Sequence, residues 1–108
     1  MTAKPVVPRA LADQDLREAL AFYLAEGADQ AALGFVNAVE RAFRQIGRQP
    51  GSGSFRYAHA LDLPGLRTWP VARYPYLVFY LEAADHMDVW RILHDRRDLP
   101  AWLTTPAP

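Results

Sequence analysis

Cysteine is absent from the 108 residues, and with it go disulfides, thiolate nucleophiles and cysteine-ligated zinc or iron–sulfur centres. Lysine is scarce too. Lys4 stands alone among twelve basic residues, the rest being arginine. Eighteen alanines and nine prolines accompany that bias, so it reads first as the imprint of a G+C-rich genome and only second as selection for arginine's forked recognition of carboxylate or phosphate. An excess of charge is also missing: twelve basic residues meet twelve acidic ones, and they cancel again within each half, six against six. A protein that holds DNA or RNA mainly through phosphates carries an excess of Lys and Arg, so direct nucleic-acid binding is not expected. No apolar run approaches the roughly 20 residues that cross a bilayer, and Met1 to Pro8 lacks the hydrophobic stretch of a secretory signal. A cytosolic protein without membrane contact is the expectation. His59, His86 and His94 show no metal-ligand spacing, so neither a metal nor another cofactor is expected.

About half of the residues are apolar, a globular value, and the length suits one domain, residues 1–108, that can bury roughly two-thirds of its unfolded surface. Val6 and Val7 between Pro5 and Pro8 predict a short edge strand. From about Ala10 the spacing of Leu16, Ala19, Leu20, Tyr23 and Leu24 predicts an amphipathic helix, with Asp13, Asp15 and Glu18 at its positive end and Gly27 as its stop. Asp29 is a candidate N-cap for a second helix marked by Ala32, Phe35, Val36, Val39, Phe43 and Ile46, which Gly47 and Pro50 end. The two should fold back as a helical hairpin.

The stretch "QPGSGSFRYAHALDLPGLR" reads as a connector: its glycines lack the Lys and Ser or Thr of a phosphate-cradling loop. Three β-rich runs follow, Leu66–Arg73, Tyr76–Glu82 and Met87–Leu93, with Pro70 expected at a bulge or with its missing N–H on the open side. A last helical turn, Pro100 to Leu103, and a frayed tail over about 104–108 complete the reading. The fold class is therefore α+β, order β-α-α-β-β-β, a helical hairpin packed on one antiparallel-rich sheet. The middle run "YLVFYL" is apolar on both sides, which predicts a greasy patch over the sheet that another polypeptide must cover, with an open sheet edge to which that polypeptide adds its main chain.

"DLREALAFYLAEG", then "AALGFVNAVERAFRQIGRQPGSG", then "GLRTWPVARYPYLVFY", then "DVWRILHDRRDLP" together resemble the RelE/ParE superfamily of toxins from plasmid-stabilisation toxin–antitoxin operons. The order and spacing of "RYPYLVFY" before "RILHDRRD" carry most of the resemblance. It implies the same β-α-α-β-β-β fold and a cognate antitoxin as partner. It also implies one of two actions. RelE-type members are ribosome-dependent, metal-independent mRNA endoribonucleases; ParE-type members act on DNA gyrase.

Metal-free RNA cleavage needs a base, an acid and cations for the phosphorane charge. His94 and the trio Arg67, Arg73 and Arg91 are the candidates. Against them stand the opposite strand parity of Arg91 and His94, net neutrality, and a Pro75 and Tyr76 where nuclease-type relatives place a second arginine after the tyrosine. The expectation is a ParE-like toxin, a gyrase inhibitor that arrests growth by binding, with the ribonuclease as alternative and a non-toxic, decayed member as a third. In that reading Arg67, Arg73 and Arg91 meet acidic side chains of the antitoxin, and Arg96, Arg97 and Trp102 engage the target. The bland reading of His94 is a hydrogen-bonded scaffold residue, and of Arg96, Arg97 and Asp98 a local pairing that fastens the C-terminal turn.

Overall fold

The structure is a computed structural model that describes residues 3–96 and Leu99. Arg97, Trp102 and the expected tail over 104–108 lie outside the described residues. The elements follow in the order β1 (Val6–Pro8), α1 (Ala10–Ala25), α2 (Asp29–Arg48), a short 3-10 turn (Pro50–Ser52), β2 (Arg67–Pro70), β3 (Tyr76–Glu82) and β4 (Met87–His94). Two helices pack on one four-stranded sheet of order β1-β4-β3-β2. β2, β3 and β4 form the antiparallel meander, and β1 adds to β4 in parallel.

Each helix turns its small and aromatic residues inward. Ala12 and Ala19 of α1, with Phe35, Val39 and Ile46 of α2, pack on Val78, Tyr80, Val89 and Ile92 of the sheet. Alanine at the closest approach lets the helices sit low on the strands. Gly27, at φ +70°, makes the left-handed turn between the helices. Asp29 opens α2 as its first helical residue; the cap position belongs to Ala28, whose carbonyl accepts the N–H of Ala32.

The β2 run is shorter than its composition suggests. It stops at Pro70, because the chain turns through Val71 to Tyr76 with Arg73 in the left-handed region at φ 72°. Arg73 therefore lies in an exposed turn rather than on a strand. Both edges of the sheet are blunted by proline, which offers no ladder donor. On β2 the one full outward pair belongs to Thr68, and Ser54 takes both of its bonds, at 2.9 and 2.8 Å. On β1, Val6 lies between Pro5 and Pro8. Past the end of β1, Asp15 of α1 accepts the outward N–H of Ile92 at 3.0 Å, so a side chain continues where the strand stops.

The residues between α2 and β2 are more than a connector. Tyr57 and Leu66, with Leu61 and Leu63 beside them, pack on Phe79 and Leu93 together with Leu99, and so close the sheet face that the helices leave bare. This corrects the expected greasy patch: the face opposite the helices is sealed by the chain itself, because a loop rich in Tyr and Leu is long enough to fold across it. Tyr80 fastens that loop from below, accepting the N–H of Gly53 at 2.9 Å and donating to the carbonyl of Pro50 at 3.0 Å.

Candidate functional site

The apolar surface left over lies on the helices. Their hydrophobic stripes are wider than the strip of sheet beneath them, and the surplus residues line a groove of about 260 Å³ on the outer side of the hairpin. Leu16 and Leu20 form one wall, Val36, Val39 and Phe43 the other, with Phe35 at the floor and Arg17 and Glu40 at the rim. Helical spacing carries the same stripe onward to Leu24 and Leu33, which are 52% and 59% exposed. Leu24 and Val36, expected in the core, are thus surface residues. An apolar strip along two helices, with charge only at its borders, is the form of a seat for an amphipathic segment of another chain.

The sequence-derived candidates are dispersed. Arg67 donates to the carbonyls of Gly51 and Gly53 at 3.2 and 3.0 Å and lies over the ring of Phe55, 3.8 Å from its centre. Arg73 is exposed at the tip of the β2–β3 turn. Arg91 sits at the β-bulge, where it and Trp90 stand against Phe79, and its guanidinium grips Asp15 through two bonds of 2.8 and 2.9 Å. His94 meets Tyr76 edge to face, and its Nδ1 accepts the N–H of Arg96 at 3.1 Å, which places any single ring proton on Nε2. Arg96 is exposed beyond the end of β4.

Arg67 and His94 do not meet. Arg67 pairs with Tyr80 on one side of β3 and His94 with Tyr76 on the other; four residues of strand correspond to about 13 Å, before two strand spacings are added. One phosphate cannot bridge that gap. Arg91 commits the Nε/Nη2 edge of its guanidinium to Asp15, and Arg73 lies outside the sheet. No group of three or more His, Asp or Glu among the described residues is placed to hold a metal, and no helix among them is long and apolar enough to cross a membrane.

What reasoning from sequence missed is the groove. Its signal was present: Leu24, Leu33 and Val36 make each apolar stripe wider than a helix resting on a flat sheet can bury.

The family model described as ParE toxin of type II toxin-antitoxin system, parDE, matches residues 6–99. Among solved structures, the chain is similar to one titled "Chromosomal ParDE TA system from P. aeruginosa", with 18% identity, 85% of this chain and 96% of that chain covered, and a TM-score of 0.69. A search of curated proteins returns no match. The solved structure shares the fold of two helices on a mixed sheet; the family match spans the chain from β1 to Leu99. The chain belongs to the ParE toxin family of type II toxin–antitoxin systems.

Proposed function

We propose that this chain is a cytosolic toxin that acts by binding protein, with DNA gyrase as its target, and that a cognate antitoxin silences it by laying an amphipathic segment in the hairpin groove. The groove carries the reading. It is a nearly wholly apolar strip, open along the boundary of the two helices, and the family's systems pair each toxin with an antitoxin. The sheet offers far less to a partner, since one face is under the helices, the other under the loop, and both edges are blunted. Exposed Arg73 and Arg96 remain available to partners; Arg67 and Arg91 already hold the fold together and reach a partner only over their outer edges.

Two experiments test this. Induction of the chain alone should arrest growth, and purified chain should inhibit supercoiling by gyrase while leaving mRNA intact on translating ribosomes. Codon-specific cuts that vanish in His94→Ala, with gyrase unaffected, would replace this reading by ribonuclease action. Second, Val36→Glu places a charge in the groove at an already exposed position, so it should abolish rescue by the antitoxin while toxicity persists. Rescue that survives Val36→Glu and Leu20→Glu together would move the antitoxin elsewhere.

A further inference from the structure

The total charge of zero conceals a strong segregation. Residues 41–81 hold six arginines and one acid, Asp62, whereas the segments on either side carry the acidic surplus. Dividing the chain into halves hides this, because the division falls inside the basic stretch. The fold brings part of the stretch together along the exposed side of α2 and the adjoining edge at β2, while Arg56 lies over Tyr57 on the covering loop. Arg41, Arg44 and Arg48 recur at i, i+3 and i+7 on the exposed side of α2, while Glu40 just before them turns to the hairpin groove. Arg41 and Gln45 border a recess walled by Trp69, Pro70 and Ala72, and Ala72 precedes the exposed Arg73. Gln45 reaches Ser52 at 3.1 Å, Gly51 and Gly53 hold Arg67, and Arg67 stacks on Phe55, which is 51% exposed.

Ion pairs among the described residues use Lys4, Arg9, Arg17 and Arg91. None of the six arginines of the basic stretch is paired with an acid. The result is a face some two elements wide, with unneutralised guanidinium groups interleaved with the half-buried indole of Trp69 and the open ring of Phe55.

We propose that this face binds single-stranded nucleic acid, the arginines taking phosphates and Phe55 and Trp69 taking bases. Arginine forks suit phosphate oxygens, and an exposed ring beside a cationic track is the arrangement on which unpaired bases stack without sequence preference. An acidic peptide satisfies the charge but leaves the exposed ring of Phe55 unused. Net neutrality limits long-range attraction, yet the separation of charge gives the molecule a dipole that turns this side toward a polyanion. The proposal is independent of which enzyme the toxin stops.

The test is fluorescence anisotropy of the purified chain with a labelled mixed-sequence DNA strand of about 20 nucleotides, at several salt concentrations. Binding should weaken steeply with salt. The triple variant Arg41→Gln, Arg44→Gln, Arg48→Gln should bind at least about tenfold more weakly and lose about two units of the log–log salt slope, as expected for three phosphates. Phe55→Ala should weaken binding several-fold with the slope unchanged, since a stacking contact releases no counterions. The three arginines of α2 are exposed and none pairs with an acid, so the triple variant should keep its thermal melting; Phe55→Ala, which removes the ring beneath Arg67, should lower it by no more than a few degrees. Arg17→Gln serves as the charge control. Equal or tighter binding of the matching duplex would overturn the single-strand assignment. Tighter binding of labelled polyglutamate than of the oligonucleotide would make the face a protein site, and failure to bind the strand at low salt would end the proposal.

Discussion

At the scale of single residues, Asp15 has the most work concentrated in one carboxylate. Its side chain is 10% exposed, holds the Arg91 fork and accepts the Ile92 N–H, so it joins α1 to the bulged part of β4, 76 positions away. Asp15→Ala removes the acceptor of three N–H groups, two of Arg91 and the one of Ile92, at a half-buried place. A hydrogen bond involving a charged group contributes about 1.5–3 kcal/mol, and because Arg91 is partly hydrated the lower half of the range applies, so a loss of about 2 kcal/mol is expected in chemical denaturation. Asp15→Asn, which keeps an acceptor for Ile92, should lose about half of that. From sequence this residue was legible only as one of three acids at the start of a helix; its partner is set by a bulge and a helix crossing that local pattern does not encode. The same holds for Arg91, whose type and exposed-looking context suggested a surface contact. Tyr80 differs: burial pushes its phenol above the ordinary tyrosine value. The folded state therefore holds that proton more tightly than the unfolded chain, and the stability it contributes is present below about pH 10 and is lost as pH rises toward the folded value. Tyr80→Phe should flatten this alkaline decline in unfolding experiments, while lowering stability near neutrality by about 1–2 kcal/mol, since the Gly53 N–H loses its acceptor.

Elements were the most legible level, and the reasons show where legibility ends. Both helices and the succession of elements along the chain follow from periodicity, because side-chain spacing alone decides which face is apolar, and the prolines mark the margins; the place of β1 beside β4 in the sheet does not follow. The premature end of β2 does not, since it depends on Arg73 adopting a left-handed turn that its residue type does not announce. Nor does the cover over the outer sheet face: Tyr57, Leu61 and Leu66 have no period, and only the folded chain brings them over Phe79. The small strand β1 illustrates how an element with little hydrogen bonding of its own is held. Lys4 reaches Glu82 at 2.8 Å, Arg9 grips Asp88 through bonds of 2.6 and 2.9 Å, and Gly47 lets the backbone of Lys4 lie against α2. A methyl group at position 47 would stand 2.7 Å from the Lys4 carbonyl oxygen, a stiff neighbour. Gly47→Ala should therefore displace β1 and destabilise the fold by about 1–3 kcal/mol, with faster exchange of the Arg9 and Met87 amides as the specific sign. The Arg9 hydrogen bonds hold the Asp88 carboxyl below its ordinary value of 3.8, against the opposing effect of its partial burial. The folded state thus binds this proton less readily, so the stabilisation is complete above about pH 4 and is lost as pH falls below it. Asp88→Asn should remove that part of the acid sensitivity and leave stability at neutral pH lower by no more than about 1 kcal/mol, as exposed pairs do.

For the molecule as a whole, two features act together: an open apolar groove and a net charge near zero, with an isoelectric point of about 6.8. A neutral protein has no long-range repulsion to keep copies apart, and the groove with Leu24 and Leu33 supplies contiguous apolar surface for them to share. Near neutral pH the isolated toxin should self-associate, and the association should ease as the solution moves away from the isoelectric point in either direction. The separation of charge adds a second route, since the arginine-rich side of one copy suits the acidic side of another, and salt distinguishes the two: screening weakens contacts between opposite charges but leaves apolar burial intact. If the groove dominates, light scattering at pH 7 should persist in salt and fall when Leu33→Lys is introduced. Leu33 is 59% exposed, so that substitution gives up little burial and should leave the melting temperature within a few degrees of the parent. An antitoxin segment seated in the groove should have the same dispersing effect without any mutation. Association that salt abolishes and Leu33→Lys does not touch would show instead that the opposed charged sides drive it, and would remove the exposed apolar strip as the reason this toxin needs a partner.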